Sequence, residues 1–372
     1  MQNNKVINYL TYLCVLLCVG CRQLSNTTPA SIVITSTVEG TDSVPSYQEI
    51  FDSIQFIPLE TNKKSLIGDI RQLIVSHNRL FVSDYESIKC FSINGNYLFD
   101  VGGKGRGPGE YTQAANICCD SSYIYIFDQL KLYQYDVYTG RFIKNIRLSE
   151  PNAYSVVKDN YIYCYGMANG IKISCYAIED TDKSQLLYAP QKGETIIPVE
   201  FPLIQSGSRL FYCDPLRGII YELSDGKMNK YLYYDMKDKF IPEKELLSGA
   251  KYTLFDNKMS FFGRSYIADD IITFDYYINN EQRRCLVNLN TMKHRDFGIF
   301  EPKQSHMIES PWTIMYSDDT YIYDLINPEY LYEEKFINIP DKYASFEKLR
   351  KAKPDDNRIV RRIKLKYNLL NE

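Results

Sequence analysis

An all-β fold is the expectation from this sequence, and three observations carry it. An apolar strand ending in aspartate recurs along the chain, with unit starts roughly 40 to 60 residues apart. Tight-turn dipeptides fall at the same place in successive units. Aromatic residues make up 14% of the 372 residues, with 33 Tyr and 18 Phe beside one Trp. Flat rings pack well on a pleated, half-buried surface, so this bias favours strands over helices.

The units read in order. LFVSD from Leu80 is followed by KCFSINGNYLFDV, and IYIFD from Ile124 by LYQYDVYTGRFIKNI. IYCYG follows from Ile162, LFYCD from Leu210, ITFD from Ile272 and YIYD from Tyr321. Each unit is an apolar strand, a short connection, a second strand, a turn and a third strand. A further short strand precedes most of them, such as IRQLIVS before Leu80 and AYSVVKD before Ile162. Asn94-Gly95, Thr139-Gly140 and Asp225-Gly226 lie between the second and third strands. Glycine supplies the positive φ that a tight hairpin needs, and Asn or Asp tolerates it.

A four-stranded unit of this period is a propeller blade, and six blades of about 48 residues fill the chain from Tyr47 to Phe336. Stacking such sheets radially covers both faces of each. The sequence therefore predicts a six-bladed β-propeller of four-stranded antiparallel blades over residues 47–340. Its ring is closed by an N-terminal strand, Gln48 to Ile54 with Gln55 to Leu59 behind it. An eight-stranded barrel or a sandwich is the rival, but neither accounts for the recurring Asp. The charge-rich end, 341–372, reads as a solvated arm packed on the propeller.

The N-terminal residues read as an address. A polar start with Lys5 precedes the apolar run LTYLCVLLCVG, Leu10 to Gly20. Such a run is too short for a hydrocarbon core, which needs about 20 residues in a helix, and it has the form of a secretory signal over residues 1–20. Leu17-Cys18-Val19-Gly20-Cys21 resembles a bacterial lipobox, with Cys18 where an aliphatic residue is usual. That resemblance makes Cys21 the lipidated N-terminus; the alternative is ordinary cleavage elsewhere, with Cys21 an incidental thiol. Residues 21–46, rich in Ser, Thr, Asn and Pro, read as a flexible tether. Arg22, Gln23, Leu24 and Ser25 follow the cysteine without an acidic residue, which by resemblance to envelope sorting rules implies an outer-membrane lipoprotein facing the periplasm.

Of the remaining seven cysteines none has CxxC spacing, and most sit in apolar strand patterns as small hydrophobes. The recurring Asp84, Asp128, Asp214, Asp275 and Asp324 suit a structural duty such as capping backbone N–H groups. A ring of carboxylates around a cation is the competing reading, and no metal site is assigned. The densest motif is DVGGKGRGPGEY, Asp100 to Tyr111. It must be an irregular loop, and it fails the phosphate-loop pattern because Gly105 follows Lys104. It serves as a crossover between blades, or it also presents Lys104, Arg106, Glu110 and Tyr111 at the rim.

FIPLETNKKSLIGDI (Phe56 to Ile70), FVSD with its Asn-Gly hairpin, and VGGKGRGPGEY together resemble the six-bladed β-propeller lipoproteins of Bacteroidetes, whose blades are similar to NHL repeats. LRKAKPDDNRIVRRIKLK is similar to that family's tail, with Arg358 in place of the usual Pro. The resemblance implies the fold and an envelope location; it carries no catalytic residues.

With 43 Lys+Arg against 46 Asp+Glu and a net charge of -3, the chain has no general drive toward nucleic acid. Two functional classes remain. The first is a non-catalytic binding or scaffolding module for a protein, peptide or glycan in the envelope. Tyr-rich loops with Tyr47, Tyr85, Tyr133 and Tyr135 suit it, and the candidate rim adds His306 and Trp312 to the glycine-loop residues. The second is a propeller enzyme, a lyase or hydrolase acting on polysaccharide. His77 and His294 read as turn residues, no acid–base pair stands out, and no cofactor or catalytic residue is assigned.

Overall fold

The computed structural model describes residues 32–35, 50–114, 116–128, 130–166, 171–192, 194, 202–248, 260–278, 281–298, 314–329, 349 and 351–366. β1 is Ile32–Thr35 and β2 Phe51–Pro58. A four-stranded antiparallel sheet follows: β3 (Gln72–Ser76), β4 (Arg79–Ser83), β5 (Ile88–Ser92) and β6 (Tyr97–Asp100). The glycine loop holds a small parallel pair, β7 (Gly103–Lys104) with β8 (Glu110–Tyr111). A second sheet is β9 (Asn116–Cys119), β10 (Tyr123–Asp128), β11 (Lys131–Asp136) and β12 (Phe142–Arg147). A third is β13 (Tyr154–Lys158), β14 (Tyr161–Gly166), β15 (Lys172–Ala177) and β16 (Asp180–Tyr188).

The next strands are β17 (Leu203–Ser206), β18 (Arg209–Asp214), β19 (Ile219–Ser224) and β20 (Lys227–Asp235). They are followed by the separate sheet β21 (Ser260–Ala268), β22 (Ile271–Ile278), β23 (Glu281–Asn288) and β24 (His294–Gly298). Last come β25 (Tyr316–Ser317), β26 (Tyr321–Ile326) and β27 (Ile359–Leu365). A nine-stranded sheet has the order β1-β20-β19-β18-β17-β25-β26-β27-β2. It consists of two antiparallel four-stranded halves joined by a single parallel bridge, Ser206 to Ser317, with β1 added at one end. The fold is a β-propeller of four-stranded antiparallel blades.

Apolar alternation within the strands builds cores that are shared between successive sheets. One cluster joins Leu80, Phe81 and Phe91 of the first sheet to Ile124 and Ile126 of the second and to Tyr323 and Val360 of the terminal half. Another joins Leu132 to Ile162, Tyr163, Leu210 and Leu223. A third joins Phe211 and Ile220 to Ile272, Phe274, Ile322 and Ile363. Every sheet thus buries one face against the sheet before it and one against the sheet after.

The turns behave as their residues require. Gly95, Gly140 and the Asp225-Gly226 pair all have positive φ. His77-Asn78, Asp159-Asn160 and Asp269-Asp270 form left-handed pairs between first and second strands, so His77 is a turn residue as expected, whereas His294 opens β24. A second recurrence, not apparent as a motif in the sequence, links Asp120-x-x-Tyr123-x-Tyr125 with Asp318-x-x-Tyr321-x-Tyr323. Asp120 accepts hydrogen bonds from the Ser122 and Tyr123 amides and from the Tyr125 hydroxyl (2.6 Å). Asp318 does the same for Thr320, Tyr321 and Tyr323 (2.5 Å).

The recurring second-strand Asp residues divide into two structural duties. Asp84, Asp128 and Asp214 accept backbone N–H groups, from Glu86 and Ser87, from Thr112, and from Leu216 and Arg217. Asp275 and Asp324 instead face arginines in register on the third strand, Arg284 and Arg361. Arg361 is 0% exposed, and its Nε donates to Asp324 at 2.6 Å.

The expected N-terminal strand is present as Phe51–Pro58, paired antiparallel with β27. Two sequence expectations are corrected. The charged end is not wholly an outer arm, because Ile359–Leu365 is a central strand between β26 and β2. Its charges concealed it: Arg361 is neutralised by Asp324, and Arg362 lies 3.7 Å over the Tyr321 ring. Finally, the span read as tether contains β1.

Breaking a buried ion pair from one side strands the other charge, at a cost of about 3–5 kcal/mol. Arg361→Met should therefore lower the urea midpoint strongly, and adding Asp324→Leu should restore most of the loss. A double variant no better than the single one would show that the pair has no such role.

Candidate functional site

Antiparallel alternation puts the turns between first and second strands, and those between third and fourth, at one end of every sheet. The other end carries the connections between second and third strands and the crossovers to the next sheet. Among the described residues the first end holds tight turns such as 77–78, 159–160, 207–208 and 269–270. Among the described residues the second end holds the long crossovers 59–71 and 101–114 and the start of another from Met236.

A channel runs between the first strands of the sheets. Its lining comes from β3, β9, β13, β17, β21 and β25, with Arg71 and Met315 just ahead of two of them. Counting the open solvent at its mouth, its space comes to about 480 Å³. Among the described lining residues Arg71 is the single charged one, beside Gln72, Tyr154, Gln205 and an otherwise apolar wall.

Hydrogen bonds lace the channel across sheets. Gln72 accepts from the Ile117 amide at 2.8 Å and donates to the Tyr154 hydroxyl at 2.9 Å, so one side chain ties three sheets. The Gln205 amide donates to the Cys119 carbonyl at 3.1 Å. Near the tight-turn end the Ser206 and Ser317 hydroxyls bond each other, the Ile267 amide donates to Ser206 Oγ at 2.9 Å, and the Gly207 amide donates to the Ser317 carbonyl at 2.7 Å. These bonds draw β17, β21 and β25 together there, and the polar opening lies at the long-connection end.

At that opening Arg71 stands with its guanidinium 4.8 Å from the Tyr85 ring centroid. Tyr85 is 40% exposed and has φ of 71°. A bulky residue in the left-handed region stores strain, and such strain persists only where its surroundings hold it. Here Asp84 caps the next two amides, and Ala114 donates to the Tyr85 carbonyl at 2.8 Å. The neighbouring Glu86 pairs with Lys104 of the glycine loop.

The sequence-derived rim residues fare differently. Lys104, Arg106 and Glu110 are exposed at this end of the molecule. Glu110 turns back to accept from the Gly107 amide at 2.7 Å, which shapes the loop. Tyr111 is not a rim residue: it is 1% exposed, its hydroxyl donates to the Val101 carbonyl, and its ring meets Tyr135 edge-on. Burial pushes its phenol well above the usual tyrosine range. Tyr133 and Tyr135 are likewise buried, while Tyr47, His306, Trp312 and Cys21 lie outside the described residues. Arg71 escaped the sequence reading; the signal available was the polar Arg71-Gln72 pair opening an otherwise apolar strand.

The seven cysteines from Cys90 to Cys285 are buried free thiols. Burial pushes Cys90, Cys119, Cys164 and Cys213 up to about 12 and Cys175 up to about 11.

Residues 31–364 match a family model described as "Domain of unknown function (DUF4934)". The chain belongs to that family. Among solved structures, a Bacteroides fragilis protein titled "Putative exported protein" is similar with a TM-score of 0.66 at 16% identity, covering 90% of this chain and 99% of its own. A member of the duf4221 family from Bacteroides vulgatus has a TM-score of 0.47 at 10% identity, covering 85% and 97%. BamB from Moraxella catarrhalis has a TM-score of 0.36 at 11% identity, covering 63% and 65%. No curated protein matches the chain.

Two outcomes are expected from this geometry. A Cβ on Gly109 would meet the Phe142 ring at 2.6 Å and φ there is +75°, whereas a Cβ on Gly103 would meet nothing within 4 Å. Gly109→Ala should cost roughly 1–3 kcal/mol in denaturant unfolding, the range for a strained site, while Gly103→Ala should be near neutral. Raised thiol pKa values keep the sulfurs protonated and unreactive at pH 8. Maleimide should therefore leave the seven cysteines unlabelled in the native protein at that pH and modify all of them in urea, as peptide mass spectrometry would report.

Proposed function

We propose that this DUF4934 protein is a non-catalytic, lipid-anchored binding module that takes a protein, peptide or glycan partner on its long-connection face. The observation that carries the proposal is the exposed, strained Tyr85 beside Arg71 at the polar channel opening, with Lys104 and Arg106 on the adjoining loop. A guanidinium over an aromatic ring offers donors and a flat apolar surface together, the pairing that recurs at interaction hot spots.

The finer architecture belongs to the same proposal. Reading the two halves of the nine-stranded sheet as separate blades gives six blades in all, and β2 closes the ring by completing the last. The lipobox-like Cys21 supplies the anchor, and an outer-membrane lipoprotein facing the periplasm is its proposed setting; the similar Bacteroides fragilis protein is itself described as exported.

The test is a pull-down of envelope proteins, peptides and glycans with the full chain in detergent. Tyr85→Ala combined with Arg106→Ala should abolish the interaction. Tyr138→Ala, which removes an exposed ring from the tight-turn end, should leave it intact. Equal binding by both variants would overturn the assignment of the face, and turnover of a captured glycan would overturn the non-catalytic reading.

A further inference from the structure

β1 is an addition to the propeller. It lies parallel to β20, the outermost strand of the β17–β20 blade, with Ile32, Val33, Ile34 and Thr35 in register with Leu232, Tyr233, Tyr234 and Asp235. Its sequence alternates as a half-buried strand must. Ile34 is 2% exposed within the apolar cluster that includes Tyr234 and Leu232, while Val33 on the other side is 56% exposed. The segment satisfies a sheet edge and buries two isoleucines, so it is held by both backbone and side chains.

We infer that β1 clamps the lipid leash to the outer edge of the β17–β20 blade and thereby turns that edge of the ring toward the bilayer. The inference rests on the anchoring of Cys21 proposed above. Ten residues separate Cys21 from Ile32. At about 3.5 Å per residue the leash can span at most about 40 Å. Were β2 the first fixed element, the same arithmetic would allow about 100 Å, and the ring could turn freely beneath its anchor. In the proposed ring the first blade, β3–β6, lies opposite β17–β20. Two four-stranded sheets at about 4.8 Å per strand put roughly 35–40 Å of protein between these edges. Fully extended, the leash only just spans that width, and as a flexible coil it averages about 20 Å, so the clamped edge faces the membrane far more often than the opposite one. The mouth near Arg71 and Tyr85 lies at the long-connection end of the sheets rather than on that outer edge, so apposing the edge to the bilayer leaves the mouth open to a partner.

The buried native thiols allow added cysteines to be labelled selectively. A fluorophore would be placed at Asn229→Cys on β20 or at Leu98→Cys on β6, in the full lipidated chain reconstituted into phosphatidylethanolamine–phosphatidylglycerol vesicles carrying a headgroup quencher. Both positions are exposed on outermost blade strands. The expected result is stronger quenching at position 229 than at 98. The difference should disappear when about 20 Gly/Ser residues, a flexible coil, are inserted after Ser25, which leaves β1 intact. Ile34→Asp, which undocks β1, should abolish it by the other route. Equal quenching at both sites in a protein that floats with the vesicles would overturn the clamp and leave the anchor standing. A wild-type chain that fails to float, like Cys21→Ser, would overturn the anchor and the clamp with it.

Discussion

The pairing of the chain's two ends is the constraint on which the rest depends. β2 and β27 form an antiparallel ladder from Phe51–Leu365 to Pro58–Ile359, and the Lys366 amide donates to the Ile50 carbonyl. Asn357 secures the ladder's far side. Its Oδ1 accepts from the Ile67 amide at 2.9 Å, its Nδ2 donates to the carbonyls of Glu60 (2.7 Å) and Ser65 (2.9 Å), and its own amide donates to Thr61 Oγ1. One buried side chain thus satisfies three backbone groups that an apolar residue would leave unpaired. Because the first sheet packs on the terminal half through Tyr323 and Val360, loosening this junction would uncover the faces of two sheets at once.

The two ends of the blades divide the labour. Tight turns at one end leave short connections that hold the first strands in register, and the Ser206–Ser317 contact draws three of them together. The other end carries long crossovers, where residues can vary without disturbing the ladders, as is usual for loops that carry function. The glycine loop belongs to both categories. Tyr111 and Tyr135 anchor it from below, and Lys104 and Arg106 are left on its outer side.

Much of the scaffold was legible because local chemistry and global fold agree within each unit. The strands from Leu80, Ile124 and Leu210, the turns at Gly95, Gly140 and Gly226, and the Asp at the end of the second strand all follow from residue type and spacing. What escaped depends on contacts between segments distant in sequence. β27 reads as a charged arm until Asp324 faces Arg361, and Tyr111 reads as a rim aromatic until Val101 and Tyr135 surround it. Arg71 is an ordinary strand-flanking cation until the first strands of the blades converge. β1 is four apolar and β-branched residues whose edge partner lies two hundred positions downstream. Arg358, where the resembling family has proline, donates to Asp69 at 2.6 Å and so stitches the same junction as Asn357.

The seven unpaired thiols carry a consequence for biogenesis. They sit in five different sheets, from Cys90 in β5 to Cys285 in β23. In the exported setting proposed above, where cysteines readily cross-link, each would be hazardous until its sheet has closed around it. The blade edges assemble from local hairpins, which form in about 1–10 μs, far faster than disulfide chemistry. Sequestration by rapid local assembly, rather than covalent stapling, is then what protects this polypeptide on its way to the mature state.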